Sequence, residues 1–117
     1  MQMGAAQVFR YGKENEAMVL TSIEDFAIPV LQTLGSLGGK AWLSDIEEEF
    51  YKRFHRFLDP SKNWQQITKN HGKPMWRDYC GSRVAFHYLK PNGYITIERH
   101  GNKGSVWEIT QIGREKL

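Results

Sequence analysis

Eight polar residues in the second half of the chain have the types and spacing for one kind of chemistry, the holding of an anionic, base-bearing polymer. Lys73, Arg77, Arg83 and His87 lie on one stretch, and Arg99, His100, Asn102 and Lys103 cluster on the next. An arginine fork can bond guanine bidentately in a major groove or pair with phosphate, whereas a lysine brings a point charge on a flexible stem. The plainer use of Arg77 and Arg83 is in surface ion pairs, for instance with Asp78, since exposed arginines are common. A basic loop tip at residues 99–103 is also simply a soluble one, and the two uses separate on salt dependence. Trp76, Val84 and Tyr88 could touch thymine methyl groups or pack on the protein, with packing favoured for Trp76 and Tyr88.

Other chemistries find no support. His55, His71, His87, His100 and Cys80 lack the close paired spacing of structural zinc sites. Cys80 has no base or orienting partner in view, and no glycine-rich phosphate loop occurs. The acidic run Glu47-Glu48-Glu49 reads as a solvated helix face. The expectation is a protein that is not an enzyme and takes no metal or cofactor.

The elements that must position these residues follow from periodicity. Met75, Tyr79, Ser82, Ala85, Phe86 and Leu89 recur at three and four, which predicts a helix with those side chains in the core. Pro74 suits its first turn, and Lys90-Pro91-Asn92-Gly93 ends it near Leu89 or Lys90. Residues 94–100 and 105–110 alternate as two strands about the hairpin turn Gly101-Asn102-Lys103-Gly104. Upstream, Ile28, Val30, Leu31, Leu34 and Leu37 make a first helix that closes at Gly38-Gly39. Residues 41–43 offer a short strand, and Ser44 with Glu47 has the spacing of a capping box that starts a second helix with Ile46, Phe50, Phe54 and Phe57 inside. Glu48 with Lys52 and Glu49 with Arg53 stand in the favourable i, i+4 order on its other face. Residues 61–72 read as a loop with one short helical turn. Thr110 caps a last short helix over residues 111–117, where Leu117 can return to the core. The order, with a basic glycine-tipped hairpin directly after the third helix, is that of an α+β winged helix-turn-helix: a three-helix core, a C-terminal hairpin wing and a short final helix. Residues 21–117 form this domain, and residues 1–20 form an arm that is frayed or ordered by a partner.

Composition agrees with one soluble domain. The 117 residues carry ordinary apolar and charged fractions, no apolar run long enough to span a bilayer and a single cysteine, so a cytoplasmic protein is the default. Residues 1–58 hold six Lys/Arg against eight Asp/Glu, and residues 59–117 hold ten against five, or −2 and +5. The basic half contains the third helix and the hairpin.

The chain resembles the N-terminal winged-helix domain of Mrr-type restriction endonucleases. The likeness spans residues 26–117. It rests on Ile28-Pro29-Val30-Leu31 with Leu34 and the glycines after it, on Tyr88-Leu89-Lys90 with Gly93-Tyr94-Ile95, and on Trp107-Glu108-Ile109-Thr110 with Gly113-Arg114-Glu115. The resemblance implies a domain that reads DNA for a nuclease elsewhere. The Asp/Glu-x-Lys spacing of those nucleases is missing, so cleavage does not carry over. The expected function is double-stranded DNA binding, as a small regulator or a stand-alone reading domain of a restriction-type system. A protein-interaction module on the same fold is the alternative. Expected partners are duplex DNA, a second copy of the chain through residues 1–20, Trp76 and Tyr88, and a separate nuclease or other partner protein.

Overall fold

In the computed structural model, which describes residues 18–117, the first helix α1 (Ala27–Ser36) follows a short 3₁₀ turn at Glu24–Phe26. Pro29 falls among the first helical positions, whose N–H groups have no intrahelical acceptor. Thr33 is buried, and its hydroxyl donates to the Pro29 carbonyl at 2.8 Å. Gly38 and Gly39 then reverse the chain at φ 97° and 88°, a region that costs other residues a steric penalty. Most of the expected N-terminal arm lies outside the described residues. Its last residue, Leu20, is buried and exchanges backbone hydrogen bonds with Phe57 and Asp59.

Strand β1 (Lys40–Trp42) runs directly into α2 (Leu43–Phe54). Trp42, in extended conformation, is the residue before the helix, so Ser44 is already inside it and no side chain caps the start. The Ser44–Glu47 capping box therefore does not form. Ile46, Phe50 and Phe54 are buried as their spacing predicts, but so is Glu47, which lies against Gly81 rather than in solvent. Glu49 pairs with Arg53 at 2.9 Å, while Lys52 turns to Glu49, at 3.7 Å, and not to Glu48.

Beyond a 3₁₀ turn at His55–Phe57, the long connection to the third helix contains no helix over residues 61–72. Ile67 instead bridges Pro74 in antiparallel fashion, and Trp64 is buried with its indole N–H donating to the Asp59 carbonyl at 2.8 Å. Phe26 gathers the aromatic core: its ring centroid lies 5.4 Å from Phe50, 5.5 Å from Trp64 and 5.4 Å from Tyr79. The connection is thus anchored on the domain through the buried Trp64 ring.

The third helix, α3 (residues 75–89), has the expected span and an unexpected winding. One α-helical turn at Met75–Asp78 gives way to π-helical stretches at Tyr79–Arg83 and Ala85–Leu89. Bonds of the i→i+5 kind make each turn wider than the α-helix's 3.6 residues, so residues roughly four to five apart share a side. The buried stripe is accordingly Trp76, Cys80, Val84 with Ala85, and Leu89. Of the six side chains expected inside, Ala85 and Leu89 are buried, Met75, Tyr79 and Ser82 are partly covered, and Phe86 is 43% exposed. Val84, placed outside by an α-helical wheel, is fully buried.

After Gly93, β2 (Ile95–Arg99) and β3 (Ser105–Ile109) pair antiparallel with Ile95 opposite Ile109 and Ile97 opposite Trp107. β1 adds to the other edge of β3, giving the order β1-β3-β2. Gly101 and Gly104, at φ 59° and 102°, shape the tip between them. Thr110 caps α4 (Gln111–Arg114) as its spacing predicts, accepting from the Gly113 N–H at 3.0 Å. Leu117 lies beside Gly35 but stays half exposed. The sheet's inner side chains Ile95, Trp107 and Ile109 close the same core as Leu31, Leu34, Ile46 and Phe50. This is a winged helix of the α+β class, with β2 and β3 as the wing.

Candidate nucleic-acid interface

Three cationic side chains from separate elements meet at one end of the wing. Lys73, just before α3, Arg77, in its first turn, and Lys103, at the wing tip, line a single cleft of about 330 Å³ with Trp42, Ser44 and Glu47. Each arrives there for a local reason. The Ile67–Pro74 bridge fixes the approach of Lys73, Arg77 projects one residue past buried Trp76, and Lys103 stands between the two positive-φ glycines of the tip. Glu47 lies between them, its Oε1 3.6 Å from the Arg77 Nε. Burial pushes the Glu47 carboxyl above its ordinary value, with the charges of Arg77 and Lys73 pulling the other way. The buried Cys80 thiol is pushed well up for the same first reason, with the charge of Glu47 adding to it. It is therefore a poor nucleophile.

Arg83 has a different task. Its Nε donates to Asp78 Oδ2 at 3.0 Å, and His71 Nδ1 lies 2.6 Å from the other carboxylate oxygen. Asp78 is 1% exposed, so these two partners compensate a carboxylate taken almost wholly out of water. Residues five apart do not face each other on an α-helix. The π-helical winding brings Arg83 round to Asp78, and the ion pair expected as the plainer use of this arginine is present.

Along the outer side of α3 run Arg83, Phe86, His87 and, just beyond the helix, Lys90; Phe86, His87 and Lys90 are exposed, and Arg83 keeps about half of its side chain in solvent. Arg99 reaches across from β2 to set its guanidinium 5.5 Å from the Phe86 ring centre, and the Lys90 ammonium lies 5.7 Å away. His100 packs edge-on to Trp42, at 5.3 Å, and its Nε2 is 3.4 Å from Glu98. Asn102 is exposed at the tip. No described carboxylate lies within ion-pair distance of Lys73, Lys90, Arg99 or Lys103. The eight residues singled out from sequence thus divide: Lys73, Arg77 and Lys103 share the cleft, Arg99 and His87 lie along the outer side of α3, His100 and Asn102 mark the wing's tip, and Arg83 is engaged by Asp78. Lys90, Phe86 and Glu47 were not among them. For Lys90 the signal was its charge at a helix end, but Phe86 and Glu47 were hidden by a wrong phase and by an apparently solvated run.

Among the described residues, no three His, Cys, Asp or Glu side chains gather as a metal-binding group, and no helix is long and apolar enough to cross a membrane.

No protein-family model matches the chain, and no curated protein does. Among solved structures it is similar to F93 from STIV, a winged-helix DNA-binding protein, with 16% sequence identity, a TM-score of 0.49 and 83% of each chain covered.

Proposed function

We propose that the chain binds double-stranded DNA, with α3 set into a groove and the wing lying along the backbone. The observation that carries this reading is the meeting of Lys73, Arg77 and Lys103 in one cleft. They come from the approach to α3, from α3 itself and from the wing tip, and Lys90 and Arg99 extend the positive surface beside the same helix. Exposed cations along a helix and an adjoining hairpin can neutralise phosphates on either side of a groove, and that term supplies most non-specific duplex affinity. Both arginines of α3 already face a carboxylate, Arg83 facing Asp78 at 3.0 Å and Arg77 facing Glu47 at 3.6 Å, so the more loosely held Arg77 is the freer to turn to a phosphate.

At a finer level the protein is a small regulator or the detached reading domain of a restriction-type system that acts with a separate nuclease. The support is the likeness of residues 28–34, 88–95 and 107–115 to the Mrr-type domain. Pairing of two copies loses part of its support, since Trp76 is buried and Tyr88 half buried. What remains of it falls on residues 1–17, outside those described.

Fluorescence anisotropy on mixed-sequence duplexes tests the main reading. Binding at about 50 mM salt that weakens steeply toward about 200 mM is the expected result. Absence of binding at the lower salt would direct attention to the fold as a protein-interaction scaffold instead.

A further inference from the structure

Phe86 is the large apolar side chain of α3 for which the fold offers no interior place. Of the exposed large apolar residues among those described, it alone belongs to α3; Trp42, Ile67 and Ile112 lie elsewhere. It is 43% exposed in the middle of the outer side, between Arg83 and His87 and before Lys90. Two cations flank its ring, Arg99 from the wing at 5.5 Å and Lys90 at 5.7 Å. An aromatic ring walled by exposed positive charge suits a partner that is anionic around its edges and apolar at one point. The major groove of DNA answers that description: phosphates line its rims, and the C5-methyl group of a pyrimidine projects from its floor.

We infer that Phe86 is a specificity-determining residue that reads a pyrimidine C5-methyl group, of thymine or of 5-methylcytosine, in the major groove. The inference rests on the proposed duplex binding and names what that site selects. Lys90 and Arg99 would hold the phosphates on either side, so that the ring is presented to the groove floor. The part of the phenyl ring that the two cations leave free excludes water from a methyl group and offers no strong acceptor to cytosine's amino group, so it favours a methylated pyrimidine over a bare one. Because Phe86 lies outside the core, its replacement should leave the fold intact.

The test begins with a duplex selected from a random pool by the wild-type protein. Each thymine in it is replaced by deoxyuridine, one at a time, and each cytosine by 5-methylcytosine, and binding is measured for the wild type, Phe86→Ala and Phe86→Leu. Covering one methyl group corresponds to a change of about fourfold in affinity. The wild type should lose about that factor at one thymine or gain it at one cytosine, and the arm that responds identifies the source of the methyl group. Phe86→Ala should be indifferent at that position, Phe86→Leu should keep part of the response, and both should retain the wild-type salt dependence. Circular dichroism checks that both variants are folded. A wild type indifferent to every methyl group overturns the inference while leaving duplex binding in place, and so does a Phe86→Ala variant that still responds. Failure of the wild type to bind any duplex overturns the underlying DNA reading, and the inference with it.

Discussion

Burial and charge press in opposite directions on Glu47, and burial prevails. Its carboxyl is raised from an ordinary value near 4.5 despite Arg77 and Lys73. The folded protein therefore holds this proton more tightly than the unfolded chain does. That contribution to stability is complete below the ordinary value and is lost as pH rises through the raised one. Glu47→Gln cannot ionise, so the variant should match the wild type at about pH 4 and be the more stable near pH 7. Urea denaturation across that range would show it, and a wild type that gains on the variant as pH rises would mean that the Arg77 contact outweighs desolvation. Asp78 is buried too, with hydrogen-bond partners on both of its oxygens. Arg83→Ala strips one of them and should cost about 1–3 kcal/mol, read as a lowered midpoint in the same assay. An unchanged midpoint would return Arg83 to the surface and make it available for a base contact. Neither carboxylate is recognisable in the sequence. Asp78 looks like any helical acid until residues 61–74 fold back and deliver His71, and Glu47 sits in an acidic run whose neighbour Glu48 is indeed exposed.

At the level of elements the sequence carries most of the fold. Gly38 and Gly39, Pro74, Pro91 with Gly93, and the glycines of the wing mark where elements begin and end, because positive φ and a missing N–H are local demands that hold in any packing. The phase of α3 is not local. A wheel at 3.6 residues per turn puts Phe86 inside and Val84 outside, and the π-helical turns reverse both. The candidate interface inherits this division: the basic stretch and the wing were legible, whereas the engaged Arg83 and the exposed Phe86 depend on how α3 is wound. The wing can be tested as a unit. If it lies along the backbone, Arg99→Ala combined with Lys103→Ala should weaken binding to a preferred and a scrambled duplex by similar factors. The plot of log affinity against log salt should flatten by roughly 0.9 for each phosphate that no longer meets a cation, with selectivity kept. An unchanged slope would remove the wing from the interface.

For the molecule as a whole, the issue is whether a modest net charge of +3 or its placement drives association. Long-range attraction responds to total charge, but counterion release depends on how many phosphates are actually met by a cation. The two can be separated by variants of equal charge. Replacing Lys73, Lys90 and Lys103 by Gln removes three positive charges beside α3 and the wing. Replacing Lys52, Arg53 and Arg56 by Gln removes three from the exposed C-terminal end of α2 and the turn after it. Both proteins then carry the same net charge. If five cations, Lys73, Arg77, Lys90, Arg99 and Lys103, each meet a phosphate, the wild-type slope of log affinity against log salt should be about −4.5. The first variant should fall to about −1.8, while the α2 variant should stay close to the wild type. Equal slopes in the two variants would mean that net charge alone attracts the duplex and that the cleft has no privileged part. A shallower slope in the α2 variant than in the first would move the interface to the opposite end of that helix.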